Sequence, residues 1–201
     1  MKNILFLLAM ICAISCSKPQ NEAVQTELPI KEISKIDSIS EYFSKIDSAY
    51  NCGKLYHLNV HEIEKFKQVQ ISVYDIKQDG EHLYYIQLRK DVGNDYYYNW
   101  EEVRILSEEV KYMRDATNII LSNLDRTVEN EERYIYITKD DFRLYSARKP
   151  SDNKWETVLD MDYLKNDSKY YVHVDKEGLS KFMDILEKAD KKIQELKEAE
   201  Q

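Results

Sequence analysis

Apolar residues recur along this chain with two different periods, and the change from one to the other marks out its elements. Ile36, Ile39, Phe43, Ile46 and Tyr50 are spaced three, four, three and four apart, which places them on one face of an amphipathic helix over about residues 30–50. Asn51, Cys52 and Gly53 end it, with Gly53 suited to the left-handed cap position. Between Lys54 and Phe66 the apolar Leu55, Leu58 and Ile63 fit either a short helix or an irregular connection.

From Lys67 the period drops to two. Val69, Ile71 and Val73 share one face of a strand, Asp79-Gly80 is a two-residue hairpin signal, and Tyr84, Ile86 and Leu88 line one face of the returning strand. A turn at Gly93-Asn94 leads into a Tyr-rich strand, with Val103-Arg104-Ile105 as its continuation or a further strand. Ser107 is placed to cap a helix whose first turn holds Glu108 and Glu109, where the helix dipole favours acids. Val110, Met113, Ala116, Ile120 and Leu124 form its apolar stripe.

The second half follows the same plan. Tyr134–Thr138, Phe142–Ala147, Trp155–Met161 and Tyr170–Val174 read as strands joined by turns. Asp175 then caps a final helix with Leu179, Phe182, Leu186, Ala189, Ile193 and Leu196 on its seam. Val103-Arg104-Ile105 followed by Lys111-Tyr112-Met113 parallels Val172-His173-Val174 followed by Lys181-Phe182-Met183. The expected fold is therefore α+β: an antiparallel sheet from two strand-strand-strand-helix repeats, at 67–124 and 131–198, with helices on one face and the N-terminal amphipathic helix added. The C-terminal seam runs beyond what one small sheet needs to cover, so the sequence also predicts that this helix packs against Ile36, Ile39, Phe43 and Ile46 of the first, within a monomer.

Charge and composition narrow the function. The chain has 29 Lys and Arg against 37 Asp and Glu. An acidic surface disfavours nucleic acid, whose phosphates need basic partners, and gives no polybasic grip on anionic lipid. With only four Gly in the chain, no Gly-rich phosphate loop can be written, and no Gly-x-Ser-x-Gly elbow occurs.

His57 and His61 are four apart, the spacing that sets two imidazoles on one helical face, but Val60 stands where a His-x-x-Glu-His zinc motif needs its acid. His82 and His173 are the other imidazoles. No ligand set is complete, so neither a metal nor a cofactor is expected. Cys52 reads as a small buried thiol, and Asp140-Asp141 and Glu101-Glu102 as surface acids near strands. No catalytic residue is assigned.

The unusual surface candidate is aromatic. Much of the chain's complement of 16 tyrosines falls in predicted strands, as Tyr84-Tyr85, Tyr96-Tyr97-Tyr98 with Trp100, Tyr134 with Tyr136, and Tyr170-Tyr171. Adjacent strand residues point to opposite faces, so each pair is expected to set one ring on the side away from the helices. Tyr85, Tyr97, Trp100, Tyr136 and Tyr171 are the candidate binding surface, for a peptide or a glycan.

The first sixteen residues are an address. Lys2 precedes an uncharged apolar run, Ile4–Ile11, and Ala13-Ile14-Ser15 leads into Cys16. The run is shorter than the roughly 20 residues a spanning helix needs, as in a secretory signal. This segment resembles the lipobox of bacterial lipoproteins. The resemblance implies removal of residues 1–15, lipid attached to Cys16, and a tether over 16–30 that holds a single domain, 31–201, off the membrane. It also implies, from Ser17 after the cysteine and the lack of an acidic run, the periplasmic face of the outer membrane. Without residues 1–15, which hold Lys2 and no acid, 28 basic residues face 37 acidic ones, a net charge of −9. Cys12, behind the bulky Ile11, is no such site. The sequence thus points to a membrane-anchored, non-catalytic envelope module that binds a protein or glycan. The rival readings are an envelope hydrolase with an unrecognised site and an assembly module using its heptad-spaced helices.

Overall fold

A computed structural model describes residues 30–51, 53, 55–93, 100–162, 164–165 and 167–200. The signal segment, Cys16 and Cys52 lie outside them. From Ser34 onward the chain forms one compact unit. In order, the elements are α1 (Ile30–Asn51), β1 (His57–Phe66), β2 (Val69–Gln78), β3 (Glu81–Asp91), β4 (Trp100–Ile105), α2 (Ser107–Asn123), β5 (Glu132–Ile137), β6 (Arg143–Arg148), β7 (Glu156–Asp160), β8 (Tyr171–Val174) and α3 (Lys176–Glu198), with a 3-10 turn at Ser168–Tyr170. The protein is α+β.

The strands form two antiparallel four-stranded meanders, β1-β2-β3-β4 and β5-β6-β7-β8, in place of the one sheet expected. Each strand pairs with its sequence neighbours, and two-residue turns join β1 to β2 and β2 to β3. At the β2–β3 turn Asp79 and Gly80 both take positive φ, 51° and 88°, the geometry of the hairpin turn whose twist matches the strands it joins. Register follows from that turn: Gln78 faces Glu81, Asp75 faces Tyr84 and Val73 faces Ile86. The segment from His57 to Phe66, ambiguous in sequence, is edge strand β1. Its pairing with β2 shifts between Glu62 and Glu64, and such a bulge interrupts the alternation by which a strand is recognised.

One core joins the two sheets. Val73, Ile86, Leu88, Val103 and Ile105 of the first sheet, and Leu144, Leu159, Val172 and Val174 of the second, pack with Val110, Met113 and Ile120 of α2 and with Leu179, Phe182, Leu186, Ala189 and Ile193 of α3. Phe182 sits between them, its ring 5.6 Å from Phe66 at the end of β1 and 5.9 Å from Phe142 before β6. The seam of α3 is long because it covers parts of both sheets.

The opposite face of the first sheet is covered too. Ile39, Phe43, Ile46 and Ala49 of α1 pack on Ile76, Leu83, Tyr85 and Leu106. This departs from two expectations. Helices lie on both faces of the first sheet, and α1 and α3 bury their seams in separate clusters with the sheet between them. Leu83 to Leu88 in β3 are accordingly buried without interruption. Nearly 3.6-residue seams on two helices specify that each meets an apolar surface, and a sheet with apolar residues on both faces offers one to each.

The helix starts are set by local chemistry. Leu106, not Ser107, is the N-cap of α2. Buried Glu109 reaches back to accept the Leu106 N–H at 3.0 Å and also takes the Lys139 N–H at 2.7 Å, tying α2 to the β5–β6 turn. Burial pushes its carboxyl pKa up against the lowering effect of those two bonds. Asp175 caps α3 as expected, accepting from Gly178 N–H at 2.8 Å.

Candidate functional site

The described ones among the aromatic residues singled out in the sequence do not share a surface. Tyr85 is buried under α1, its hydroxyl 2.6 Å from that of Tyr50 and its ring 5.2 Å from Tyr74. Burial, and then Tyr50, raise its phenol pKa well above the ordinary value. Tyr84, on the other face, is equally buried. A Tyr pair has no free side in a sheet covered on both faces, which overturns the expectation for this strand. Trp100 opens β4 and is 41% exposed, with the Arg89 guanidinium stacked 4.0 Å from its ring centre. Tyr136 turns inward and donates to the Glu109 carbonyl at 3.3 Å. Tyr171 opens β8, half-buried, 6.4 Å from the His173 ring. Tyr97 lies outside the described residues.

The second sheet has one open face. Ile135 and Ile137 of β5 stand out from it, 53% and 43% exposed. Beside them Arg133, Arg143, Tyr145, Glu156, Val158 and Tyr171 line a shallow depression of about 220 Å³. Both arginines are paired, Arg133 with Glu131 and Arg143 with Asp160 at 2.6 Å, and the His173 ring nitrogen Nδ1 stands 3.3 Å from Glu156. Arg143 also lies over the Tyr145 ring, 5.4 Å from its centre.

A second constellation sits where the core face of β2 and β3 turns polar near their hairpin. Asp75, only 4% exposed, continues the inward row Val69, Ile71, Val73; His82 continues the row Leu88, Ile86, Tyr84. The Asn59 amide donates to Asp75 Oδ2 at 3.1 Å. Asp75 Oδ1 lies 2.8 Å from His82 Nδ1, and Glu200, just beyond the end of α3, brings its Oε1 to 2.7 Å from the same nitrogen. The Tyr84 hydroxyl donates to Glu200 and stands 3.2 Å from Nδ1. Burial, and then Glu200, push the Tyr84 phenol upward in pKa. Carboxylate, imidazole and carboxylate thus converge within 4.8 Å.

The members of this cluster share no local spacing in the sequence. Asp75 and His82 meet across the hairpin, and Glu200 arrives from the far end of the chain. One signal was present: with Asp79-Gly80 as the turn, simple pairing sets 75 opposite 84 and puts 82 on the same face. His57 and His61 are not brought together. In strand β1, four residues separate His57 and His61 by about 13 Å.

No protein-family model, no curated protein and no solved structure matches this chain. Among the described residues, no helix is long and apolar enough to cross a membrane.

Proposed function

We propose that the protein is a lipid-anchored envelope module that binds a partner protein through the open face of its second sheet, without catalysis. The observation that carries the binding face is the exposure of Ile135 and Ile137 beside Tyr145, Arg133 and Arg143, with Tyr171 further across the same sheet. Ile135 and Ile137 on edge strand β5 lie opposite Tyr145 and Arg143 of β6, and exposed apolar side chains next to Tyr and Arg have the composition of residues that dominate protein interfaces. A protein partner fits better than a glycan, because the Tyr and Arg side chains of this face serve either, whereas the exposed Ile135 and Ile137 offer a sugar neither a stacking ring nor a hydrogen bond. The anchor rests on the lipobox resemblance at Cys16, with residues 16–30 as tether and the periplasmic face of the outer membrane as the location.

In this reading the domain arose by duplication of a β4α unit. β4 and β8 each lead into a helix, and the inward residues agree at a constant offset of 69: Val103 with Val172, Ile105 with Val174, Val110 with Leu179, Met113 with Phe182. At that offset the two Lys-aromatic-Met triplets are one residue out of step, so buried position supports the duplication and the triplets do not.

Replacing Ile135 and Ile137 together with Glu tests the binding face. Co-purification of a defined envelope protein with the wild-type chain is expected to be lost in the double variant, with melting temperature essentially unchanged because both side chains face solvent. An unchanged set of co-purifying proteins would overturn the assignment of this face.

A further inference from the structure

We propose that Asp75, His82 and Glu200 form a site for one divalent transition cation of the zinc type. This goes beyond the binding face and the lipid anchor and depends on neither.

The argument begins with protons. An imidazole Nδ1 carries either one proton or one lone pair. Here it meets three oxygens: Asp75 Oδ1 at 2.8 Å, Glu200 Oε1 at 2.7 Å and the Tyr84 hydroxyl at 3.2 Å. The tyrosine proton is directed to Glu200. A proton on Nδ1 serves one carboxylate well and leaves the other facing the same nitrogen; an unprotonated Nδ1 directs its lone pair at both. A cation resolves the crowding, because it accepts a lone pair from each of the three atoms. Ligands about 2.0–2.1 Å from a tetrahedral zinc lie roughly 3.4 Å apart; the two oxygens reach that distance from Nδ1 by moving out a little, and all three atoms already lie within 4.8 Å of one another.

The surroundings fit a built site. Asp75 is fixed on a central strand and its second oxygen is held by Asn59 at 3.1 Å, so Oδ1 remains directed at the site, the kind of support that orients metal-bound carboxylates. One nitrogen and two carboxylates suit zinc and its first-row neighbours. Calcium takes six to eight oxygens and magnesium a near-octahedral oxygen shell, and the cluster supplies neither. With no thiolate among the three donors, a soft monovalent ion is disfavoured. An ion here would fasten Glu200, two residues past the end of α3, to the β2–β3 hairpin.

Titration of Zn²⁺ alone into the metal-stripped full chain tests the site. One binding event per chain is expected, with a melting temperature raised by about 5–10 °C at a hundredfold excess over Kd. Mg²⁺ under the same conditions is expected to leave the melting temperature unchanged. His82→Ala and Glu200→Ala should each remove the zinc response; Glu200 lies beyond the last turn of α3 on the surface, so its variant keeps the fold and the test stands even where His82→Ala unfolds. A flat response to Zn²⁺ up to about 1 mM, the limit of weak specific binding, would overturn the proposal. So would a zinc response that persists in Glu200→Ala, and an equal response to Mg²⁺ would overturn the zinc-type assignment.

Discussion

The Arg104 guanidinium grips the Asp140 carboxylate at two points, Nη2 to Oδ1 at 2.8 Å and Nε to Oδ2 at 3.1 Å, and so bridges β4 of the first sheet and the β5–β6 turn of the second. The Arg104 N–H also donates to Asp140 Oδ2 at 2.8 Å, and Nη1 reaches Asp47 of α1 at 2.5 Å. Two other parts of the chain, α1 and the β5–β6 turn, are thus held to β4 by one residue. Bidentate, charge-assisted bonds of limited exposure are worth more than single surface ion pairs. Asp140→Ala should cost about 1.5–3 kcal/mol, measured by urea unfolding, while Asp47→Ala, whose side chain is more exposed, should cost less than about 1 kcal/mol.

Separate burial of α1 and α3 makes a quantitative prediction. Ile46 and Ile193 are both fully buried, in different clusters. Each substitution to Ala should destabilise by about 2–5 kcal/mol. Their effects should add, with a coupling energy below about 0.5 kcal/mol, as for sites with no shared partner. A coupling above about 1 kcal/mol in the double-mutant cycle would indicate that the two helices meet after all.

Acid sensitivity should have one source in the loop after β7. Partial burial alone would raise the Asp162 pKa, but Lys165, its ammonium 2.7 Å away, and the backbone N–H groups of Leu164 and Lys165 outweigh that and hold it below the ordinary 3.8. A folded-state pKa depressed below the unfolded value gives stability that is present above pH 3.8 and lost as pH falls through the folded value. Asp162→Asn should therefore be less stable than wild type at neutral pH, and the gap should narrow as pH falls below about 3.8. A gap independent of pH would rule out this carboxylate as the source.

The anchor is open to a direct test. Cys16→Ser should move the protein from the membrane fraction to the soluble fraction and abolish incorporation of labelled fatty acid, because the motif at Cys16 is the attachment on which the reading rests. Sedimentation of the Cys16→Ser protein with membranes would require another attachment.

Several elements were legible because their information is local. The period-two rows of β2 and β3 and the Asp79-Gly80 turn define a hairpin through contacts between residues a few positions apart, and Asp175 with the seam of α3 defines a capped helix in the same way. The start of α2 was misplaced by one residue because Glu109 satisfies the backbone N–H of Leu106 from inside the helix, so the apolar Leu106 can stand where a polar cap is usual. Strand β1 was not legible, since its bulge at Glu62/Glu64 removes the alternation and its partner supplies the order.

What the sequence by itself determined is each element's period, its turns and which stripe it must bury, since these depend on backbone geometry and the transfer of apolar side chains from water. Only the tertiary structure decided what each stripe meets: α1 on one face of the first sheet, α3 between two sheets, Tyr85 hidden and Ile135 exposed. It also decided the meeting of Asp75, His82 and Glu200. Burial is non-directional and satisfied by any apolar surface, so the choice among surfaces is made by how all the elements pack at once, which no short stretch of sequence contains.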